Sequence, residues 1–305
     1  MGDGEVHVVI NPVSGRSGSR VVLWELCRRI QATGRTIVVC RTRKAGDAQL
    51  AARRACLAGA SALLVAGGDG TISEAVGGMR DRGVPILIVP CGTENILAKY
   101  LGSALDVESL WRTFLDGREI VMDVPTMNGR CFMLLGGIGF DAEVVSRLSR
   151  ERKGHISYLT YFWPIWRTFW GHPFSRLSVA ADGKTVFDGP GLAFVGNVPR
   201  YAIGLRILER ARPNDGLLDV CVMRCERPDQ LLGHAVNVLA RRHVGRDAVV
   251  YVQARRVRIS APEEPVPIQL DGDLHGWLPA EFEMTSLQVR FRIRPDRPTA
   301  AAERG

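Results

Sequence analysis

The first 121 residues carry the tightest constraint on the fold, because short apolar, β-branched runs alternate there with longer segments of helical periodicity. Val6 to Ile10, Thr36 to Cys40, Ala62 to Ala66 and Pro85 to Val89 read as strands. Arg20 to Ala32, Asp47 to Ala58, Ile72 to Met79 and Ile96 to Leu101 read as helices. A run such as Ala62-Leu63-Leu64-Val65-Ala66 has no polar face and must be covered on both sides. That predicts an α/β domain: a parallel sheet with helices on both faces, binding ligands beyond the carboxyl ends of its strands.

After Met122-Asp123-Val124-Pro125 the rhythm changes to strands separated by turn signals, among them Arg130 to Leu135, Arg176 to Ala181, Thr185 to Phe187, Leu192 to Val195, Leu218 to Met223, Pro267 to Leu270 and Leu287 to Ile293. Ala181-Asp182-Gly183-Lys184 is a hairpin turn of the Asp-Gly type. The second half is therefore expected to be mostly antiparallel β, with helical insertions at Tyr158 to Trp170 and Pro228 to Arg241. The 305 residues divide into an α/β domain over 1–123, a β-rich domain over 124–294 and a tail, 295–305, expected to be disordered.

Forty Lys plus Arg oppose 32 Asp plus Glu, a formal charge of +8 that favours phosphate-bearing partners. No run reaches the about 18 apolar residues of a membrane-spanning helix, and the start, Met1-Gly2-Asp3-Gly4-Glu5, is not that of a secretory signal. A cytoplasmic protein is expected, one free to sit peripherally at the inner face of a membrane. Seven dispersed cysteines fit buried reduced thiols better than disulfides or zinc.

The turns after the first-half strands carry the chemistry. Gly67-Gly68-Asp69-Gly70-Thr71, running into Ile72 and Ser73, lets backbone N–H groups approach a phosphate where a helix begins. Asn11-Pro12-Val13-Ser14-Gly15, Thr42 and Pro90-Cys91-Gly92-Thr93-Glu94-Asn95 follow the other three strands, so a parallel sheet would bring all four to one edge. No Gly-x-x-x-x-Gly-Lys-Ser/Thr is present, and position 73 is Ser where a dinucleotide fingerprint needs Gly.

These turns, in this order and spacing, resemble the catalytic domain of the diacylglycerol kinase and sphingosine kinase superfamily, in particular its soluble bacterial members. Gly139-Phe140-Asp141, Gly196-Asn197, Asp215-Gly216-Leu217-Leu218-Asp219-Val220 and Asp271-Gly272-Asp273 resemble landmarks of that family's second domain. The resemblance implies an ATP-dependent lipid kinase. Its ATP cleft would lie between the domains, with nucleotide against Asn11, Pro12, Val13, Ser14, Gly15, Thr42, Gly67, Gly68, Asp69, Gly70, Thr71, Ile72, Ser73 and Thr93. It further implies a structural Mg2+ held by Asp215 and the carbonyls of Arg212 and Leu217, and Asp271 as proton acceptor. Asp69 is the rival base, or a group that orients the magnesium of MgATP. Two departures stand out: Asp273 replaces a glutamate, and Gly92-Thr93-Glu94-Asn95-Ile96 replaces Gly-Thr-Gly-Asn-Asp, so the acceptor lipid is left open.

Seven of the chain's 21 aromatic residues lie between Tyr158 and Trp170, flanked by basic residues, which suits either contact of 150–176 with an anionic membrane or the wall of a lipid pocket. A homodimer is compatible with the sequence, and no specific nucleic acid is expected. The alternatives are an NAD kinase-like small-molecule kinase and a non-catalytic lipid-binding protein on the same scaffold.

Overall fold

The computed structural model describes residues 4–15, 17–80, 83–139, 174–200 and 205–297. The chain divides into two compact units, Met1–Val124 with Ser286–Gly305, and Pro125–Thr285.

In the first unit, β1 (Val6–Ile10), β2 (Ile37–Arg41), β3 (Ala62–Gly67) and β4 (Ile86–Pro90) are all parallel. β1 lies between β2 and β3, and β4 lies beyond β3. Every residue of β3 and β4 is buried, as two-sided coverage requires. The register pairs Ile10 with Arg41 and with Ala66, and Gly67 with Pro90, so all four strands end level. Helices α1 (Ser17–Ala32), α2 (Asp47–Leu57), α3 (Asp69–Gly78) and α4 (Ile96–Leu101) follow the strands. A fifth helix, α5 (Val107–Asp116), is not in the sequence-based expectation. Its start was signalled by Asp106, whose carboxylate accepts the Ser109 N–H at 2.7 Å.

The second unit is antiparallel throughout its described pairings. Its strands are β6 (Arg130–Cys131), β7 (Leu135–Ile138), β8 (Arg176–Ala181), β9 (Lys184–Gly196), β10 (Leu218–Arg224), β11 (Val249–Ala254), β12 (Arg256–Ser260), β13 (Pro267–Leu270) and β14 (Asp273–Trp277), joined by α6 (Pro228–Leu239). Strand β5 (Arg118–Met127) precedes them and β15 (Ala280–Ile293) is the last strand among the described residues. β9 is one strand where two were expected. Its first half pairs with β8, its second with β7 and β10, and Gly189 at φ 151° sits where it changes partner. The expected run Arg130 to Leu135 is broken between β6 and β7 because a distant carboxylate holds the intervening backbone.

The C-terminal boundary differs from the sequence-based one: the chain from Ser286 onward belongs to the first unit. Phe291 pairs in parallel with Ile86, and Arg292 donates to the carbonyls of Thr113 and Leu115 at 2.8 and 2.9 Å. Of the tail expected to be disordered, Asp296 and Arg297 are held: Arg294 and Asp296 form an ion pair and the Arg297 carbonyl accepts from Arg118. The aromatic segment Tyr158 to Trp170, Phe140-Asp141 and the rest of the tail lie outside the described residues.

Candidate active site

Three of the four strand-end turns are bonded into one another. Asn11, first after β1, donates its backbone N–H to the Ala66 carbonyl and its Nδ2 to Thr71 Oγ1, both at 2.9 Å. Its Oδ1 accepts the Val13 N–H at 3.1 Å, which folds Asn11 to Gly15 back over the sheet edge. Thr42 donates to the Ile10 carbonyl at 2.9 Å, placing the second strand's turn beside the first.

Gly67 and Gly92 are required by proximity. A Cβ on Gly67 would stand 2.6 Å from that of Thr71, and one on Gly92 would stand 2.6 Å from the Gly68 Cα. Neither Gly67 nor Gly68 nor Gly70 has positive φ, so close approach to Thr71 and Gly92 rather than left-handed backbone accounts for Gly67 and Gly68, whereas Gly70 is exposed. Gly15 does need it, at φ 105°, and its missing Cβ leaves room for Ser19 Oγ and the Cys91 carbonyl. Asn95, left-handed at φ 49°, accepts the Gly92 N–H through Oδ1 and donates to the Gly92 carbonyl through Nδ2, both at 2.7 Å. Asn95 and Gly92 therefore shape the fourth turn, a role that the motif spacing alone did not assign to them.

Asp69 couples the third turn to the fourth. Its Oδ2 accepts the Ile96 N–H and its Oδ1 the Leu97 N–H, both at 2.9 Å, so this carboxylate caps α4. Burial pushes its pKa above the ordinary 3.8, and the two N–H bonds pull it back only in part. With both oxygens on α4, Asp69 is placed to position the fourth turn. The glycines and Asp69 open α3, a helix whose N-cap, Gly68, makes no side-chain capping bond. Helix geometry leaves the first N–H groups without intrahelical acceptors, and the dipole favours an anion there.

In the second unit Asp271 and Gly272, at φ 51° and 91°, form the two-residue turn between β13 and β14. Asp271 thus occupies a hairpin and a candidate site at once. Its Oδ2 accepts the Met133 N–H at 2.8 Å, and its Oδ1 accepts those of Leu134 and Leu135 at 2.8 and 3.2 Å. The other Asp-Gly hairpin behaves alike: Asp182 accepts the Arg255 and Arg256 N–H groups at 3.0 and 2.8 Å. Asp273, two residues on, is exposed.

The turn before β10 holds a second acidic group. Asp215 Oδ1 accepts the Leu217 N–H at 3.1 Å, and its Oδ2 accepts from Gln253 at 3.3 Å. The same Gln253 amide reaches Asp219 Oδ2 at 3.2 Å, while Tyr251 donates to Asp219 Oδ1 at 2.7 Å. Asp219 is fully buried, and burial, reinforced by the nearby Asp215 charge, raises its pKa. Two carboxylates sharing one amide, beside the carbonyls of a turn, are a donor set suited to a hard cation. Among the described residues no three His, Cys, Asp or Glu side chains cluster as metal ligands, so such a site depends on backbone oxygens. All seven cysteines are free, and burial pushes the Cys221 thiol up to about 12, as expected of packing groups. No helix among the described residues is long and apolar enough to cross a membrane.

Comparison with known proteins matches two successive stretches of the chain to two families. Residues 5–127 match the diacylglycerol kinase catalytic domain, and residues 137–293 match the YegS C-terminal NAD kinase beta sandwich-like domain. The chain is 28% identical over 280 residues to a diacylglycerol kinase of Staphylococcus carnosus (strain TM300), covering 90% of each protein. It is 26% identical over 280 residues to a diacylglycerol kinase of Bacillus subtilis (strain 168), covering 90% of this chain and 92% of that one. A crystal structure of a diacylglycerol kinase from Bacillus anthracis str. Sterne shares the fold, with a TM-score of 0.68, 19% identity and coverage of 95% of this chain and 97% of that one. With both of its domains matched, the chain belongs to the diacylglycerol kinase family: it is a phosphotransferase with an alcohol acceptor, a lipid kinase.

Proposed function

We propose that this protein transfers the terminal phosphoryl group of MgATP to a hydroxyl of a lipid such as diacylglycerol or a sphingoid base. The observation that carries the reading is the interlocked set of turns around the uncapped start of α3. Phosphoryl transfer asks a protein chiefly for fixed donors around the phosphates and a base at the acceptor hydroxyl. Backbone N–H groups at Gly68 to Thr71 would bind phosphate oxygens; Asn11 to Gly15, Thr42, Ile72, Ser73 and Thr93 would line the nucleotide. When bound, magnesium would neutralise phosphate charge. A Cβ at Gly67 or Gly92 would run into Thr71 or Gly68 and push apart the turns that would cradle the phosphates.

Gly70 gives a test in which two effects have opposite sign. It is exposed in the first turn of α3, where alanine is a better helix former by about 1 kcal/mol. Gly70→Ala is therefore expected to leave melting unchanged or raised while weakening ATP binding at least tenfold by calorimetry. Wild-type ATP affinity in this variant would return the turn to an ordinary helix start.

In the second unit, Asp271 would take the proton of the acceptor hydroxyl. Its three N–H donors fix its orientation. A structural Mg2+ would be held by Asp215 and the carbonyls of Arg212 and Leu217, relieving the repulsion between Asp215 and Asp219. Magnesium at about a hundred times its dissociation constant should then stabilise the protein by about 2.7 kcal/mol. The rise in melting temperature on adding magnesium should vanish in Asp215→Ala; a rise that persists in the variant would place the ion elsewhere.

The acceptor is identified by incubating the protein with labelled ATP, magnesium and a total lipid extract, then analysing labelled organic-soluble products by mass spectrometry. A labelled glycerolipid or sphingoid product is expected.

A further inference from the structure

Helix α6 presents an apolar face to solvent where a surface helix is ordinarily polar. Leu231, His234 and Val238 are buried, whereas Leu232, Val236 and Leu239 are 57%, 56% and 70% exposed. Their i, i+4, i+7 spacing puts these three in one stripe, flanked by exposed Ala235 and Ala240. The acid of the first turn, Asp229, is paired with Arg227 at 2.8 Å, and beyond it the exposed face carries no charge until the helix ends.

The ending supplies the charge. Arg241 donates to the Val238 carbonyl at 3.0 Å and Arg242 to that of Asn237 at 2.8 Å, a closure that puts Arg241 in the left-handed region at φ 54°, where glycine is the ordinary residue. The turn is anchored by His243, fully buried with Nε2 2.9 Å from the Ile207 carbonyl, and by Arg246, which donates to the Arg242 carbonyl at 2.9 Å. Arg241, Arg242 and Arg246 are all exposed just past the apolar stripe, and among the described residues none of them forms an ion pair. The one acid in residues 240–248 is Asp247.

We propose that Leu232, Val236 and Leu239 together with Arg241, Arg242 and Arg246 form a docking surface for an anionic lipid bilayer. The apolar side chains would enter the boundary between head groups and acyl chains, and the guanidinium groups would meet lipid phosphates. Charge complementarity selects this occupant. A second copy of the chain would bring three arginines against their own kind across a two-fold interface, whereas an anionic bilayer neutralises them. The inference rests on the lipid-kinase reading only in that such an acceptor resides in a bilayer.

The test is flotation of the full chain with vesicles of phosphatidylcholine alone or mixed with phosphatidylglycerol. Wild type should float with the mixed vesicles, and less so as salt is raised. Each arginine near an anionic surface contributes about fivefold in partitioning, so replacing Arg241, Arg242 and Arg246 together by Gln should weaken binding about a hundredfold. Replacing Leu232, Val236 and Leu239 together by Gln should weaken it at least tenfold. Melting should be unchanged in the apolar variant, whose substituted side chains are exposed, and slightly lowered in the arginine variant, which loses the Arg246 bond to the Arg242 carbonyl; should one fail to fold the other decides alone. Phosphorylation of a short-chain, water-soluble acceptor should also be unchanged in both. The proposal is overturned if wild type ignores anionic vesicles, if folded variants bind them as wild type does, or if the apolar substitutions turn a dimer into a monomer by light scattering while vesicle binding persists. Absence of turnover on the short-chain acceptor in wild type would count against the kinase reading, and the flotation result would stand apart from it.

Discussion

Asp271→Asn is expected to lower kcat by about a hundred- to ten-thousand-fold, the ordinary worth of a general base. It should also lower the melting temperature. Asparagine turns one acceptor oxygen into a donor, which must then face the Met133 N–H or those of Leu134 and Leu135. A buried donor left facing a donor costs about 1–3 kcal/mol. Asp182 separates the two effects, since its carboxylate makes the same kind of backbone clamp in the other Asp-Gly hairpin. Asp182→Asn should lose stability and keep kcat. Exposed Asp273→Asn should lose no stability, and its kcat reports whether the second carboxylate takes part. If Asp271→Asn and Asp182→Asn lower kcat equally, Asp271 is a hairpin clamp and the base lies elsewhere.

Asp69→Ala should have the second largest effect. It removes both N–H bonds at the start of α4, at a cost of about 2 kcal/mol, and frees the turn that carries Gly92 and Thr93. KM for ATP should rise at least tenfold, with lower melting. The magnesium concentration for half-maximal rate should stay the same, because Asp69 spends both oxygens on α4. A shift in that concentration with unchanged melting would make Asp69 the group that orients magnesium. The pH dependence has a definite sign. Burial raises the Asp69 pKa, so the folded protein holds this proton more tightly than the unfolded chain. Its contribution to stability is full below the ordinary value of 3.8 and is lost as pH rises through the folded value. Asp69→Asn removes that slope. The melting advantage of wild type over Asp69→Asn should therefore shrink as pH is raised from acid toward neutrality.

The α/β unit was legible in the sequence because its strands are continuous apolar runs, and such runs leave only a sheet covered on both faces. The start of α3 was not. Gly67 to Thr71 reads as a loop, yet α3 begins at Asp69, because Gly67 and Gly68 serve close approach to Thr71 and Gly92 and Gly70 is accommodated within the helix. β14 was hidden by His275 and Gly276, which give no strand pattern. The motif positions of Asn11, Asp69 and Asp271 could be quoted from spacing, but their partners could not. Asp271 reaches backbone 136 to 138 residues away, and Asp69 caps a helix 27 residues on. Spacing cannot report which backbone N–H groups a carboxylate will meet once the sheets have formed. Asn95 was passed over for the same reason, since its worth lies in two bonds to Gly92 that exist only in the folded turn.

The most direct measurement follows the terminal phosphate of labelled ATP in the presence of magnesium, with diacylglycerol, a sphingoid base, an isoprenoid alcohol and NAD offered separately as acceptors. The account predicts label in an organic-soluble product with at least one lipid and none in NAD. Label in NAD with no lipid product from any acceptor would contradict it.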